Sequence, residues 1–465
     1  MVVDYILKNG KILLTEGIFV GGIAIDEGKI VAIGKEGVLP SADRILDVKE
    51  NIIMPGVIDI HTHLRDMDRS DWEDFESGTR AAAAGGVTTA VEMPLTLPPT
   101  TNVKTFLEKI ERVKKRAIVN IALYAGAGTH NIEEIPKLAD NGAIAFKTFT
   151  HPPPKGRDSD FLGLYVADDG SHLNVLENIA RKDALSVVHA ENWQISRFLA
   201  EKIKAEGRND LTAYLESKPG ITEAEAIQRV SIFAKYTKTK LHICHVCAKE
   251  AVQVVRDIKN SGQMLTAETC PHYLTFTNDD VKHLGSYAKI NPPIREREHV
   301  EELWKALNDG TLDAVASDHG PFPKEIKEAG KEDIWTAYMG CPGIETMLPV
   351  MLTQMNRGRI GLQRFVKVMS ENPARIMGLY PKKGIIRVGS DADLIVVDLK
   401  KESKIIKEKM YSKSKDIAVL YDGYEVKGLP IQTIVNGIVV MENGDVFGKP
   451  GIGKFITKNR TPEVQ

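Results

Sequence analysis

The chain has 465 residues, 43% of them hydrophobic and 27% charged, a composition that suits a folded protein with a large core and argues against extended disorder. Its 61 Lys and Arg against 63 Asp and Glu leave a formal charge of -2, which offers no positive field for nucleic acid or an anionic membrane, so a small molecule is the expected partner. Four cysteines are too few for a disulfide framework, no basic or apolar leader pattern follows Met1, and no run reaches membrane-spanning length, so a cytoplasmic location is expected.

From the amino terminus, short strands broken by turns are predicted over 5–9, 11–14, 18–26 and, after the turn at Glu27-Gly28, 29–33. The same texture returns over 392–399 and 431–440, ahead of the turn Asn443-Gly444. Residues 1–53 and 380–450 are therefore expected to form one small β-sandwich domain from two distant pieces, with 451–465 as a carboxy-terminal tail.

Between these pieces, over 54–379, apolar strand-like runs (117–124, 143–149, 184–189, 240–246 and 312–317) alternate with amphipathic helical patterns. Repeated strand then helix over this length predicts a parallel α/β fold, specifically an eight-stranded (β/α)8 TIM-type barrel. The stretch 150–170, with Pro152-Pro153-Pro154 and Gly156, is long and polar; it reads either as a lid over the site or as a solvated loop.

Side chains that carry chemistry end several of these runs. His61-Thr62-His63 follows the apolar run at 56–60, and residues two apart on a strand face the same way, so both imidazoles can address one metal. Lys147 ends Ile144-Ala145-Phe146, His189 ends Ser186-Val187-Val188, His245 follows 241–244, and Asp318 follows 314–317. In a parallel barrel all strand carboxyl ends face one mouth, so five dispersed segments would converge there. A buried, neutral lysine amine can take up carbon dioxide as a carbamate, and Lys147 so modified would resemble a carboxylate bridging two ions.

Two divalent ions about 3.5 to 4 Å apart would lower the pKa of water towards 7 and supply a nucleophile near neutral pH. Asp318 would take the proton of that water and return it to a leaving amide nitrogen, acting as base and then as acid. Zinc is the default expectation, although imidazole and carboxylate ligands also accept manganese, cobalt or iron. Cys244-His245-Val246-Cys247 lacks a second Cys-x-x-Cys to complete a zinc site, and both cysteines are read as packing residues.

The segments 56–63, Phe146-Lys147, Val188-His189-Ala190-Glu191, His242-Ile243-Cys244-His245 and Ser317-Asp318-His319 resemble the metal-site motifs of the cyclic amidohydrolases. This family includes allantoinases, dihydropyrimidinases or hydantoinases, and dihydroorotases. The likeness runs over nearly the whole chain, and Gly389-Ser390-Asp391-Ala392-Asp393-Leu394 resembles the point where such chains re-enter the small β-domain. It implies that His61, His63 and Asp318 hold the more buried ion, that carboxylated Lys147 bridges, and that His189 and His245 hold the second. It also implies a cyclic amide or ureide substrate and a homotetramer.

Which ring is opened is less directly written. The run 71–89, Glu92-Met93-Pro94-Leu95 and Glu268-Thr269-Cys270-Pro271-His272-Tyr273 are similar to allantoinases, the expected activity being conversion of allantoin to allantoate. Arg65, and Asn291 in Ile290-Asn291-Pro292-Pro293, are similar to dihydroorotases, where such residues bind the ring and its carboxylate. That pattern, however, wants Asn where this chain has Leu95 and His where it has Phe322. Dihydropyrimidinases typically carry a tyrosine soon after the bridging lysine, whereas this chain continues Thr148-Phe149-Thr150-His151. His319, beside Asp318, is read either as a substrate contact or as a support for its neighbours. A non-catalytic scaffold of the same fold is the remaining alternative, and the filled ligand positions argue against it.

Overall fold

The computed structural model describes residues 2–154 and 156–459. Residues 460–465 of the expected tail and Lys155 of the proline-rich stretch therefore lie outside the described residues. Among those described, no helix is long and apolar enough to cross a membrane.

Parallel strands run in chain order through the middle of the molecule. Val57–Thr62, Val87–Glu92 and Asn120–Leu123 form one set, and Ala125–Gly126, Phe146–Phe149, Leu185–His189, Lys240–Ile243, Leu265–Thr269 and Ala314–Val315 the other. The gap between the sets is spanned on either side of Tyr124, where Ile144 N–H donates to Leu123 O and Ala125 N–H to Ala145 O. The circuit closes where Thr62 bridges His319 in parallel and His63 N–H donates to His319 O at 3.0 Å. With 120–123 and 125–126 as halves of one strand, this is the expected (β/α)8 barrel. Val57–Thr62 and Val87–Glu92 are buried along their whole length, as strands covered on both faces must be.

The helices follow from caps and apolar stripes. Asp74 caps Phe75–Ala84 with a reciprocal capping box to Ser77, and Asn102 caps Val103–Arg116 through Thr105 N–H. Phe106, Ile110 and Val113 on that second helix face the core. Lys109 shares this buried face, and the Glu92 carboxylate 3.3 Å away makes its charge tolerable there.

Strands from both ends of the chain build a second, nine-stranded sheet. Its order is Asp445–Val446, Ile438–Glu442, Glu425–Val435, Leu394–Lys404, Ile52–Pro55, Val2–Leu14, Gly17–Asp26 and Lys29–Gly34, with Ser41–Asp47 also paired to Val2–Leu14. The Lys29 end curls back, as Ile30 N–H donates to Ser390 O and Ala392 N–H to Gly28 O. Leu7, Ile23, Ile25, Ile53, Leu394 and Val396 fill the space so enclosed. The two strands predicted over 5–14 are one strand with a bulge between Leu7 and Gly10, and the run 431–440 divides at Asn436-Gly437, where both φ angles are positive.

Two segments behave differently from the sequence expectation. Residues 405–424 lie over the barrel: Tyr411 N–H donates to Glu345, Ser412 bonds Glu73, and Ile417 packs with Trp72 and Phe322. Residues 451–459, expected as a tail, dock on the barrel, with Ile121 N–H donating to Lys454 O and Ile456 N–H to Ile121 O, both at 2.9 Å. Buried Asp393 ties these parts together by accepting from Asn120 and Asn436 N–H while paired with Lys383.

Candidate metal centre

His61, His63, Lys147, His189, His245 and Asp318 all line one cavity at the carboxyl ends of the barrel strands, together with Arg65 and Asn291. His61 Nε2 and His63 Nε2 lie 3.3 and 3.6 Å from the same Asp318 oxygen. Beside them, His189 Nδ1 and His245 Nε2 approach to 2.8 Å. Lys147 Nζ lines the same cavity, 2.8 Å from Cys244 Sγ.

Backbone conformation turns these side chains inward. Arg65, His245 and Asp318 adopt positive φ values of 57°, 36° and 48°, uncommon for residues with a Cβ and concentrated here where strands give way to loops. Glu92 fixes the chain just after His63 by accepting from Leu64 N–H at 2.6 Å. Asp59 fixes it just before, accepting from His61 N–H and Ser317 N–H, so one buried carboxylate joins the first and last barrel strands.

The donor set fits divalent ions. Ligand-capable atoms of His61, His63 and Asp318 lie within 4.8 Å of one another, and so do those of His61, Cys244 and His245. Desolvation by burial, followed by the neighbouring cationic groups, holds His63 and His245 well below the usual imidazole range, and burial brings His189 down to about 3. Neutral imidazoles are the ligating form.

Several supporting residues carry no motif of their own. Glu268 Oε1 lies 2.6 Å from His61 Nδ1, and its other oxygen 3.1 Å from His242 Nε2. Glu191 lies 3.4 Å from His189 Nε2, accepts from Asn291 Nδ2 at 2.9 Å and pairs with Lys218. Asn291 thus both faces the cavity and holds the carboxylate that steadies His189. Cys244, read as a packing residue, is buried as expected yet touches Lys147 and approaches His61 and His245. Its position next to His245 at a strand end was the available signal.

His319 does not line the cavity. It is fully buried, its Nδ1 accepts from Gly343 N–H at 3.1 Å, and its Nε2 faces Glu73 at 3.6 Å. Its ring therefore meets Gly343 and Glu73 rather than the residues of the cavity lining. Leu95 and Phe322 each have a settled place: Leu95 packs with Phe149, Phe161 and Leu164 and offers its carbonyl to Arg65, and Phe322 packs with Trp72 and Ile417.

A parallel barrel whose strand ends gather imidazoles, a lysine and a carboxylate is the architecture of metal-assisted hydrolases. The chain belongs to the Amidohydrolase family, whose model matches residues 52–440. It is 39% identical over 458 residues to an L-hydantoinase of Paenarthrobacter aurescens, with 98% of each chain covered. It is 35% identical over 460 residues to an allantoinase of Salmonella choleraesuis (strain SC-B67), covering 98% of this chain and 99% of the relative. The solved L-hydantoinase (dihydropyrimidinase) from Arthrobacter aurescens superposes with a TM-score of 0.93 at 39% identity, over 98% of this chain and all of the other. The protein is a hydrolase of this family.

Proposed function

We propose that the protein opens the ring amide of five-membered cyclic ureides of the hydantoin type, with allantoin, a hydantoin bearing a ureido group, as its particular substrate. The observation that carries this reading is the convergence of His61, His63, Asp318, Lys147, His189 and His245 on one cavity. The names of two relatives support the ring class, since hydantoin and allantoin share the same ring. The segment 71–95 and Glu268–Tyr273 support allantoin within that class.

His61, His63 and Asp318 would hold one divalent ion and His189 and His245 another, with carboxylated Lys147 between them and zinc as the first ion to test. When bound, such ions supply Lewis acidity that lowers the pKa of water towards 7 and polarises the ring carbonyl. Asp318 accepts a proton from the attacking water and delivers it to the ring nitrogen as the C–N bond breaks. Burial, the largest influence, raises the Asp318 carboxyl, while His61 and Lys147 act in the opposite direction. Arg65, held by Leu95 O, faces the cavity as a donor to a ring oxygen. Glu268 and Glu191 orient His61 and His189 through the ring nitrogens turned away from the ions.

Dihydroorotate is disfavoured because the cavity carries the apolar Leu95 side chain where the dihydroorotase pattern has an asparagine. The test is kcat/KM of the metal-loaded enzyme on allantoin, 5-substituted hydantoins, dihydrouracil and dihydroorotate. A preference of about tenfold or more for the five-membered rings supports the reading. A preference for either six-membered ring overturns it.

A further inference from the structure

Arg157 belongs to the proline-rich stretch after the strand Phe146–Phe149, yet its side chain is more than nine-tenths buried and lines the cavity of the candidate metal centre. Its Nε donates to Asp160 Oδ2 at 2.9 Å, and its guanidinium carbon lies 5.0 Å from the centre of the Tyr338 ring and 5.3 Å from that of Phe161. Its Nη2 is buried and has no hydrogen-bond partner among the described residues. A buried cationic donor without an acceptor is costly, so the site is built to receive one.

The acids near this rim are already engaged. Asp160 serves both Arg157 and Arg69, whose Nη2 donates to it at 3.0 Å, and Glu92 accepts from Lys109 and Leu64 N–H. Arg65 lines the same cavity with its Nε also unpartnered. Cationic donors therefore exceed anionic acceptors on this side. The hydrogen bond and ring contacts of Arg157 are with Asp160, Phe161 and Tyr338 and with none of the candidate ligands, which places it against the part of a substrate remote from the reacting amide.

We infer that Arg157 is a specificity-determining residue whose Nη2 donates to an oxygen acceptor, a carboxylate or a ureido carbonyl, on the exocyclic substituent of the ring. The inference rests on the cyclic-ureide reading and adds to it the residue that recognises the substituent. Charge-assisted bonds to a planar fork favour such an oxygen over an alkyl or aryl group.

The experiment compares wild type, Arg157→Met and Arg157→Lys, each metal-loaded, on 5-ureidohydantoin, 5-carboxymethylhydantoin and 5-isobutylhydantoin. Arg157→Met should raise KM about tenfold or more for at least one oxygen-bearing ring and alter 5-isobutylhydantoin by no more than about twofold, with Arg157→Lys recovering part of the loss. The ring that loses more identifies the source of the acceptor. Equal losses on all three rings would show that Arg157 only latches its loop, and would overturn the inference. Calorimetric affinities of the three ring-opened products for the same proteins give the same comparison without turnover. A wild type that opens none of the rings thus defeats the functional reading, while the product affinities still decide on Arg157.

Discussion

Glu268 Oε1 lies 2.6 Å from His61 Nδ1 with both side chains buried, and the same carboxylate reaches His242 on the neighbouring strand. This contact leaves His61 Nε2 aimed at Asp318 and fixes the ring plane. Glu268→Gln should therefore lower metal affinity by about 10- to 100-fold while the fold survives. Metal content after dialysis against a buffered chelator checks this, and unchanged retention would rule out the orienting role.

Lys147→Ala should abolish ring opening and reduce bound metal, because the residue is placed to join the two ligand groups. Short carboxylic acids added to the variant should restore part of the activity by occupying the bridging position. Full turnover with two retained ions in the untreated variant would contradict the assignment.

Glu345 is half-buried, and desolvation of its carboxyl raises it to about 8 even though Tyr411 and Ser412 N–H groups favour its charge. Between its ordinary value near 4.5 and about 8, the folded chain holds a proton that the unfolded chain has released. Stability from this group is thus greatest at low pH, falls as pH rises through that window, and is lost above it. Glu345→Gln should gain on wild type by a kilocalorie or a few per mole between pH 5 and pH 8.5, as read from denaturant midpoints. A pH-independent difference would refute the burial argument.

Asp393 faces Lys383, Asn120 and Asn436 where the sheet meets the barrel. Asp393→Ala leaves a buried ammonium with only Asp391, 3.0 Å away, to balance it, and should cost about 3 to 5 kcal/mol. Thermal unfolding would report this as a loss of several degrees; an unchanged midpoint would mean that Asp391 compensates alone.

The barrel and the convergence of the candidate ligands on one cavity could be read from the chain because each candidate directly follows an apolar run, and parallel strands send such positions to one mouth. Supporting residues were less legible. Glu268 and Glu191 stand in motifs whose spacing says nothing of the imidazole each one meets, and Arg157 sits in a stretch with no periodicity at all. Residues 405–424 carry neither strand alternation nor a helical stripe, so their path over Trp72 and Glu73 depends on tertiary contacts alone. For His319 the sequence left a substrate contact and a supporting role both open, because adjacency to Asp318 does not fix a ring's direction; the ring turns towards Gly343 and Glu73.

The most direct test is the rate of allantoin and 5-substituted hydantoin opening by the purified protein before chelation, after removal of metal, and after zinc or manganese is restored, with metal counted per chain. The account predicts two ions per chain, loss of activity on chelation and its return with the ions. Undiminished ring opening by metal-free protein would contradict it.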